Sequence, residues 1–187
     1  MNRWHGVAYA AMVSLLGACA SLNPPGYSPN YEQIDKLKTQ HIDRLSIGKV
    51  QPEDPAAKVN HISLRGSSLT VKNSTFAAYL EEALRSDLME MGALDPKSTT
   101  RIDATILKND IDVSGIVSGY GVMEVQLSVT KRGSVLLQKM YSANTKFESS
   151  FMGAIAIAGG QKEYPNLVRK LLETVYSDPE FLHAVGK

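Results

Sequence analysis

The sequence predicts an α+β fold, a two-layer sandwich in which a mainly antiparallel sheet carries two long amphipathic helices on one face. Apolar residues recur at helical spacing over 76–91 and again over 167–175, and from Arg101, between these runs, the period drops to two. A sheet with one apolar face and two amphipathic helices buries all three by stacking them in two layers. With 187 residues, 43% hydrophobic and 21% charged, the chain suits one such domain with short appendages. A domain of about 150 residues buries roughly 70% of the surface its unfolded chain exposes, so it needs neither disulfide nor metal to hold it.

The first 18 residues, "MNRWHGVAYAAMVSLLGA", place Arg3 before an apolar stretch from Gly6 to Leu16 and then small residues. That is the order of a secretory signal, and the stretch falls short of the about 20 residues a spanning helix needs. Leu16-Gly17-Ala18-Cys19 looks like a bacterial lipobox, in which the thiol is acylated and the chain is cut before the cysteine. Ala18-Cys19-Ala20 also fits the small-x-small rule for ordinary cleavage after Ala20, and a plain apolar segment with a stray thiol is the blandest reading. Leu three places before the cysteine, with small residues between, favours lipidation at Cys19. The membrane is then a partner through the acylated thiol. Residues 19–40, opening "CASLNPPGYSPNY", read as a lipidated flexible tether, and residues 41–187 as a single α+β globular domain.

Within that domain "HIDRLSIGKV" and "VNHISLRGSSLTV" carry short alternations, Ile62 with Leu64 and Leu69 with Val71, and read as strands. "NSTFAAYLEEALRSDLMEMGAL" is the strongest helix signal. Asn73 or Ser74 can cap it, Phe76, Leu80, Ala83, Leu84, Leu88 and Met91 make one face, Glu81 and Arg85 are spaced to pair, and Gly92 supplies a left-handed stop. Ile102, Ala104 and Ile106, then Met123, Val125, Leu127 and Val129, alternate with polar residues, and "KRGS" turns the second strand into "VLLQKMYSANTKF", giving an antiparallel meander. In "EYPNLVRKLLETVYSDPEF" Pro165 suits a first helical turn, and Leu167, Val168, Leu171, Leu172 and Val175 form the buried stripe. A short last helix opens at Asp178-Pro179. "SSFMGAIAIAGG", residues 149–160, is either a buried lead-in to that long helix or an exposed patch for a partner or lipid; burial is favoured because nearby apolar faces can cover it.

The formal charge of +1 carries no basic footprint for nucleic acid, and loss of residues 1–18 removes only Arg3 of the 20 basic residues and none of the 19 acidic ones. Ser67 and Ser118 sit beside glycines but lack the frame of a nucleophile elbow, and no motif assembles around His5, His41, His61 or His183. The single Cys19 leaves no zinc ligand set. "DIDVSG" matches the first half of a calcium loop through Asp110, Asp112 and Gly115, but its twelfth place is Gly121, where a bidentate glutamate is required, so a polar hairpin turn is expected. Gly115, Gly119 and Gly121 lie between strands rather than between strand and helix, which suits a flexible connection and not a phosphate loop. Asn73-Ser74-Thr75 fits a glycosylation sequon that helix capping already explains. No cofactor, metal or catalytic constellation is expected. The surfaces assigned to a partner are the 110–121 connection and the 151–160 stretch, through Asp110, Asp112, Tyr120, Phe151 and Met152.

Taken in order, "LGAC", "NSTFAAYLEEALRSDL", "RIDATI" and the helix around "NLVRKLL" resemble small bacterial envelope lipoproteins of the YajG-like and ABC-transport auxiliary kind. The resemblance implies a periplasm-facing, non-catalytic accessory or interaction module serving envelope maintenance or transport, with an envelope protein or lipid as partner. In lipoprotein families an aspartate after the anchoring cysteine marks retention in the inner membrane; Ala20 in that place implies the outer membrane. A small lipid- or lipopolysaccharide-binding carrier, with its cleft between sheet and helices, is the alternative, and an envelope hydrolase a further one.

Overall fold

The computed structural model describes residues 21–186, so the signal and Cys19 lie outside the described residues. The main sheet has four strands in the order β2-β5-β6-β7: β2 Ser46–Gln51, β5 Thr100–Asp112, β6 Ser118–Lys131 and β7 Ser134–Glu148. The last three form the expected antiparallel meander, whereas β2 lies parallel to β5. A parallel neighbour requires a crossover, and α2 (Phe76–Glu90) lies in the connection between β2 and β5. A smaller sheet orders β1 (Ser21–Leu22), β4 (Ser67–Leu69) and β3 (Ile62–Leu64). Two hairpins close through residue pairs with left-handed backbones, Arg65-Gly66 and Arg132-Gly133, as two-residue turns between twisted strands require.

The alternation in β5 and β6 sends Ile102, Ala104, Ile106, Met123, Val125, Leu127 and Val129 inward. Against them pack α2 and α3 (Gly153–Tyr176), so that Leu84 and Leu171, each about 1% exposed, share one core. Phe76 and Tyr79 stack on Tyr164 of α3 at ring separations of 4.6 and 5.3 Å. Gly92 takes the left-handed turn that ends α2, and Glu81 pairs with Arg85 at 2.6 Å. A last helix, α4 (Pro179–Val185), is capped by Asp178, whose carboxylate accepts from the Glu180 amide.

Three expectations about the long helices are corrected. The cap of α2 is Thr75, whose Oγ1 accepts from the Ala78 amide at 3.1 Å; Asn73 is spent on a left-handed turn, and the Ser74 amide bonds the Val71 carbonyl. Pro165 stands deep inside α3, because the helix starts at Gly153 and absorbs the small-residue stretch. Ala156, Gly160 and Tyr164 fall on one buried stripe, and a Cβ on Gly160 would sit 2.7 Å from Val113, so small residues there let the helix cross β5 closely. The stretch is thus split, with one side buried and Ile155 on the other side exposed.

Residues 21–40 are not a flexible tether. β1 joins β4, and α1 (Tyr31–Lys38) buries Ile34 and Leu37. The proline-rich run between them makes no ladder, but its carbonyls are claimed by side chains of the domain: Gln161 donates to Asn23, Tyr79 to Pro25 and Arg169 to Ser28. Pro24, Pro25 and Pro29 have no N–H to offer, and the run docks through its acceptors.

Candidate functional site

The two stretches assigned to a partner, far apart in sequence, meet at one end of the domain, and Arg65 joins them. Its guanidinium donates to the carbonyls of Val113 (2.8 Å), Gly115 (3.3 Å), Ser150 (2.9 Å) and Phe151 (3.1 Å). The Ser149 amide adds a bond to the Val117 carbonyl at 2.9 Å. A non-glycine residue with φ of +48° is uncommon, and at Arg65 it turns the fork of five N–H donors onto two loops at once. Sequence reasoning missed Arg65; its only sign was an arginine in the first place of a tight "RG" turn.

Held this way, the end displays apolar side chains to water. Val117 is 76% exposed, Phe151 75% and Ile116 68%, and Met152 and Ile155 are each more than half exposed. Tyr120 stands beside this group on the open face of the sheet, opposite Lys146. Asp110 and Asp112 lie within β5, paired with Val122 and Tyr120, so the first half of the partial calcium motif is strand and its second half, Val113 to Gly115, opens the hairpin connection to β6. Bonds from Ser114, through its side chain and then its amide, hold the Asp112 carboxyl below its usual range. Of Gly115, Gly119 and Gly121, the second lies under the Phe147 ring and the third against Thr145 and Leu167, where added carbons would collide. Arg65→Ala should cost about 1–2 kcal/mol and speed hydrogen exchange at 113–117 and 149–152. Unchanged exchange there would mean the two loops hold themselves.

A second cluster is buried. Asp87, 2% exposed, accepts from the Tyr27 hydroxyl at 3.0 Å on both carboxylate oxygens, and the Tyr176 hydroxyl faces the same carboxyl. Burial pushes the Asp87 carboxyl up to about 6 against the opposing effect of these bonds, and burial raises both tyrosines as well. The signal was present in the sequence, since Asp87 falls at helical spacing within the apolar stripe of Leu80, Leu84 and Met91. It clasps the amino-terminal segment onto α2.

The concavities are open grooves. One of about 570 Å³ runs between α1 and α3 past Asn30, Lys36, Lys170 and Glu173. Another of about 490 Å³ brings His41 and His183 together, a neighbourhood their sequence separation concealed, while His61 lines a third. Among the described residues no group of three or more His, Cys, Asp or Glu is placed to hold a metal, and no helix is long and apolar enough to cross a membrane.

No family model matches the chain, and no curated protein matches it. Among solved structures, a Xanthomonas campestris protein assigned to the family model DUF330 superposes with a TM-score of 0.52 at 10% identity, over 84% of this chain and 95% of that one. The two share a fold. A candidate lipoprotein from Caulobacter crescentus aligns at a TM-score of 0.49 and 10% identity, over 84% and 98% of the two chains. A minor lipoprotein from Acinetobacter baumannii aligns at 0.33 and 12% identity, over 71% and 92%. The Xanthomonas likeness concerns architecture alone and says nothing of the Arg65 end.

Proposed function

We propose that the protein is a lipoprotein of the outer membrane, anchored through Cys19 and facing the periplasm, that serves envelope maintenance or transport as a non-catalytic interaction module. The observation that carries this reading is the Arg65 end: a rigid core presents two clamped loops whose apolar side chains have no internal partner. The YajG-like and transport-auxiliary lipoproteins resembled in sequence suggest the setting. A catalytic reading finds less support, since Asp87, the carboxyl displaced furthest upward, is sealed beneath Tyr27 and bonded by it. The carrier reading needs a cleft between sheet and helices, where Leu84, Leu171, Ile102 and Tyr164 are packed to near-complete burial.

Acyl chains contribute about 0.8 kcal/mol per buried methylene, so the two or three chains of a lipoprotein hold firmly where one is marginal. The full chain expressed in a diderm bacterium should therefore fractionate with outer membranes, with an amino-terminal peptide beginning at an acylated Cys19. Cys19→Ala should leave the protein soluble or unprocessed. A free amino terminus at Ser21 in the wild type would show ordinary cleavage and overturn the anchor.

A further inference from the structure

We infer that the Arg65 end lies on the bilayer that holds the anchor, with Ile116, Val117, Phe151, Met152 and Ile155 entering the boundary between headgroups and acyl chains. The inference rests on the reading of Cys19 as lipidated and names membrane lipid as what covers this patch. Its ground is where the chain enters the domain. β1 pairs in parallel with β4, Ser21 beside Ser68, and β4 follows directly on the Arg65-Gly66 turn. Traced backwards, β1 runs towards that turn. Cys19 is two residues before Ser21, a span of no more than about 7 Å. The same arginine clamps the loops that carry the five apolar side chains. Anchor and patch therefore leave the domain at the same end, and because 21–40 is docked there is no slack to carry the patch away.

An apolar patch held at a bilayer surface partitions into it in proportion to its buried area, and each docking event is intramolecular once the anchor is in place. Nearby charges supply little net attraction, for Lys146 opposite Tyr120 is outnumbered by the acids at the rim. The Arg65 guanidinium is committed to carbonyls, and Asp112 and Glu148 stand at the rim. Contact should thus be apolar and insensitive to salt, unlike a polybasic contact with anionic lipid. Val135 and Leu136, exposed on β7 beside the Arg132-Gly133 hairpin at the far end of the meander, should stay in water.

The only tryptophan in the sequence is Trp4, within the signal, so a processed Phe151→Trp chain carries one indole at the patch and a Met140→Trp chain carries one on the open sheet face. Each lipidated full-length chain is reconstituted into protein-free vesicles of phosphatidylethanolamine and phosphatidylglycerol, after mass spectrometry of Cys19. The expected result is a blue-shifted emission from position 151, quenched by doxyl-labelled lipid and shielded from iodide, unchanged between low and high salt, while position 140 emits as in water. An aqueous emission from position 151 on vesicles that carry the acylated protein would overturn the docking and leave the anchor standing. A blue shift in native envelopes but not in protein-free vesicles would overturn it in favour of a protein partner. Absence of acyl mass on Cys19 would overturn the anchor and the docking together.

Discussion

Leu171→Ala and Leu84→Ala are each expected to lower the unfolding free energy by about 2–5 kcal/mol, the sum of lost transfer energy and the cavity left behind. Both side chains are about 1% exposed and stand on different helices over the same sheet. Leu171 is flanked along α3 by Leu167, Val168, Leu172 and Val175, all buried, so the backbone cannot easily move in to fill the space. A domain of this kind has about 5–15 kcal/mol in total, so either change takes a large share of it. Urea denaturation should show a lower midpoint at unchanged slope. Leu107→Ala, at a half-exposed position on β5, serves as the control and should stay within about 0.5 kcal/mol. Losses that small at both core sites would mean that other faces of the helices meet the sheet.

The second large effect is a pH dependence centred on Asp87. Its folded carboxyl titrates near 6, above the ordinary 3.8, because burial disfavours the charged form more than Tyr27 and Tyr176 favour it. The folded state then holds the proton more tightly than the unfolded chain. The stability this proton contributes is fully present below about pH 4 and is lost as pH rises through about 6, amounting to up to about 3 kcal/mol. Asp87→Asn keeps an acceptor for the Tyr27 hydroxyl and removes the charge. Its stability should exceed that of the wild type above pH 7, by a margin that shrinks as pH falls from 6.5 towards 4. Only the difference between the two curves carries the result, since other carboxylates titrate in the same range. Parallel curves for the two proteins would show that Asp87 is ionised at no cost.

Much of the fold was legible because its signals are local. The helical period of Phe76 to Leu88, the stop at Gly92, the alternation through Met123 to Val129 and the turn at Arg132-Gly133 each depend on residues within a few positions of one another. The misread features depend on distant partners. Residues 23–30 resemble a linker in composition, and only Tyr79, Gln161 and Arg169 make them structure. Pro165 looked like a helix start because the stripe through Ala156 and Gly160 is made of small residues, whose value lies in how closely β5 approaches. The candidate surface was half legible. Phe151, Met152 and Tyr120 could be named from composition and placement, but that the two loops form one surface depends on Arg65, whose four acceptors are between 48 and 86 residues away.

The docking of residues 21–40 has a further consequence for the order of events in the life of the chain. The Asn30 amide donates to Glu173, Gln33 to the Glu173 carbonyl and Arg169 to the Ser28 carbonyl, contacts spanning 140 to 143 residues, and the Asp43 amide closes on Val185. Contacts of such separation are slow to form, because the closure entropy must be met before they stabilise anything. During synthesis the β1–β4 pair and the bonds Tyr27–Asp87 and Tyr79–Pro25 can form early, whereas the bonds from residues 28–43 to the last two helices wait until those helices have emerged. A polypeptide threaded through a narrow channel benefits from this delay, for part of what its leading end docks against is still on the other side. The interlock between residues 28–43 and the last two helices is thereby the last part of the fold to close.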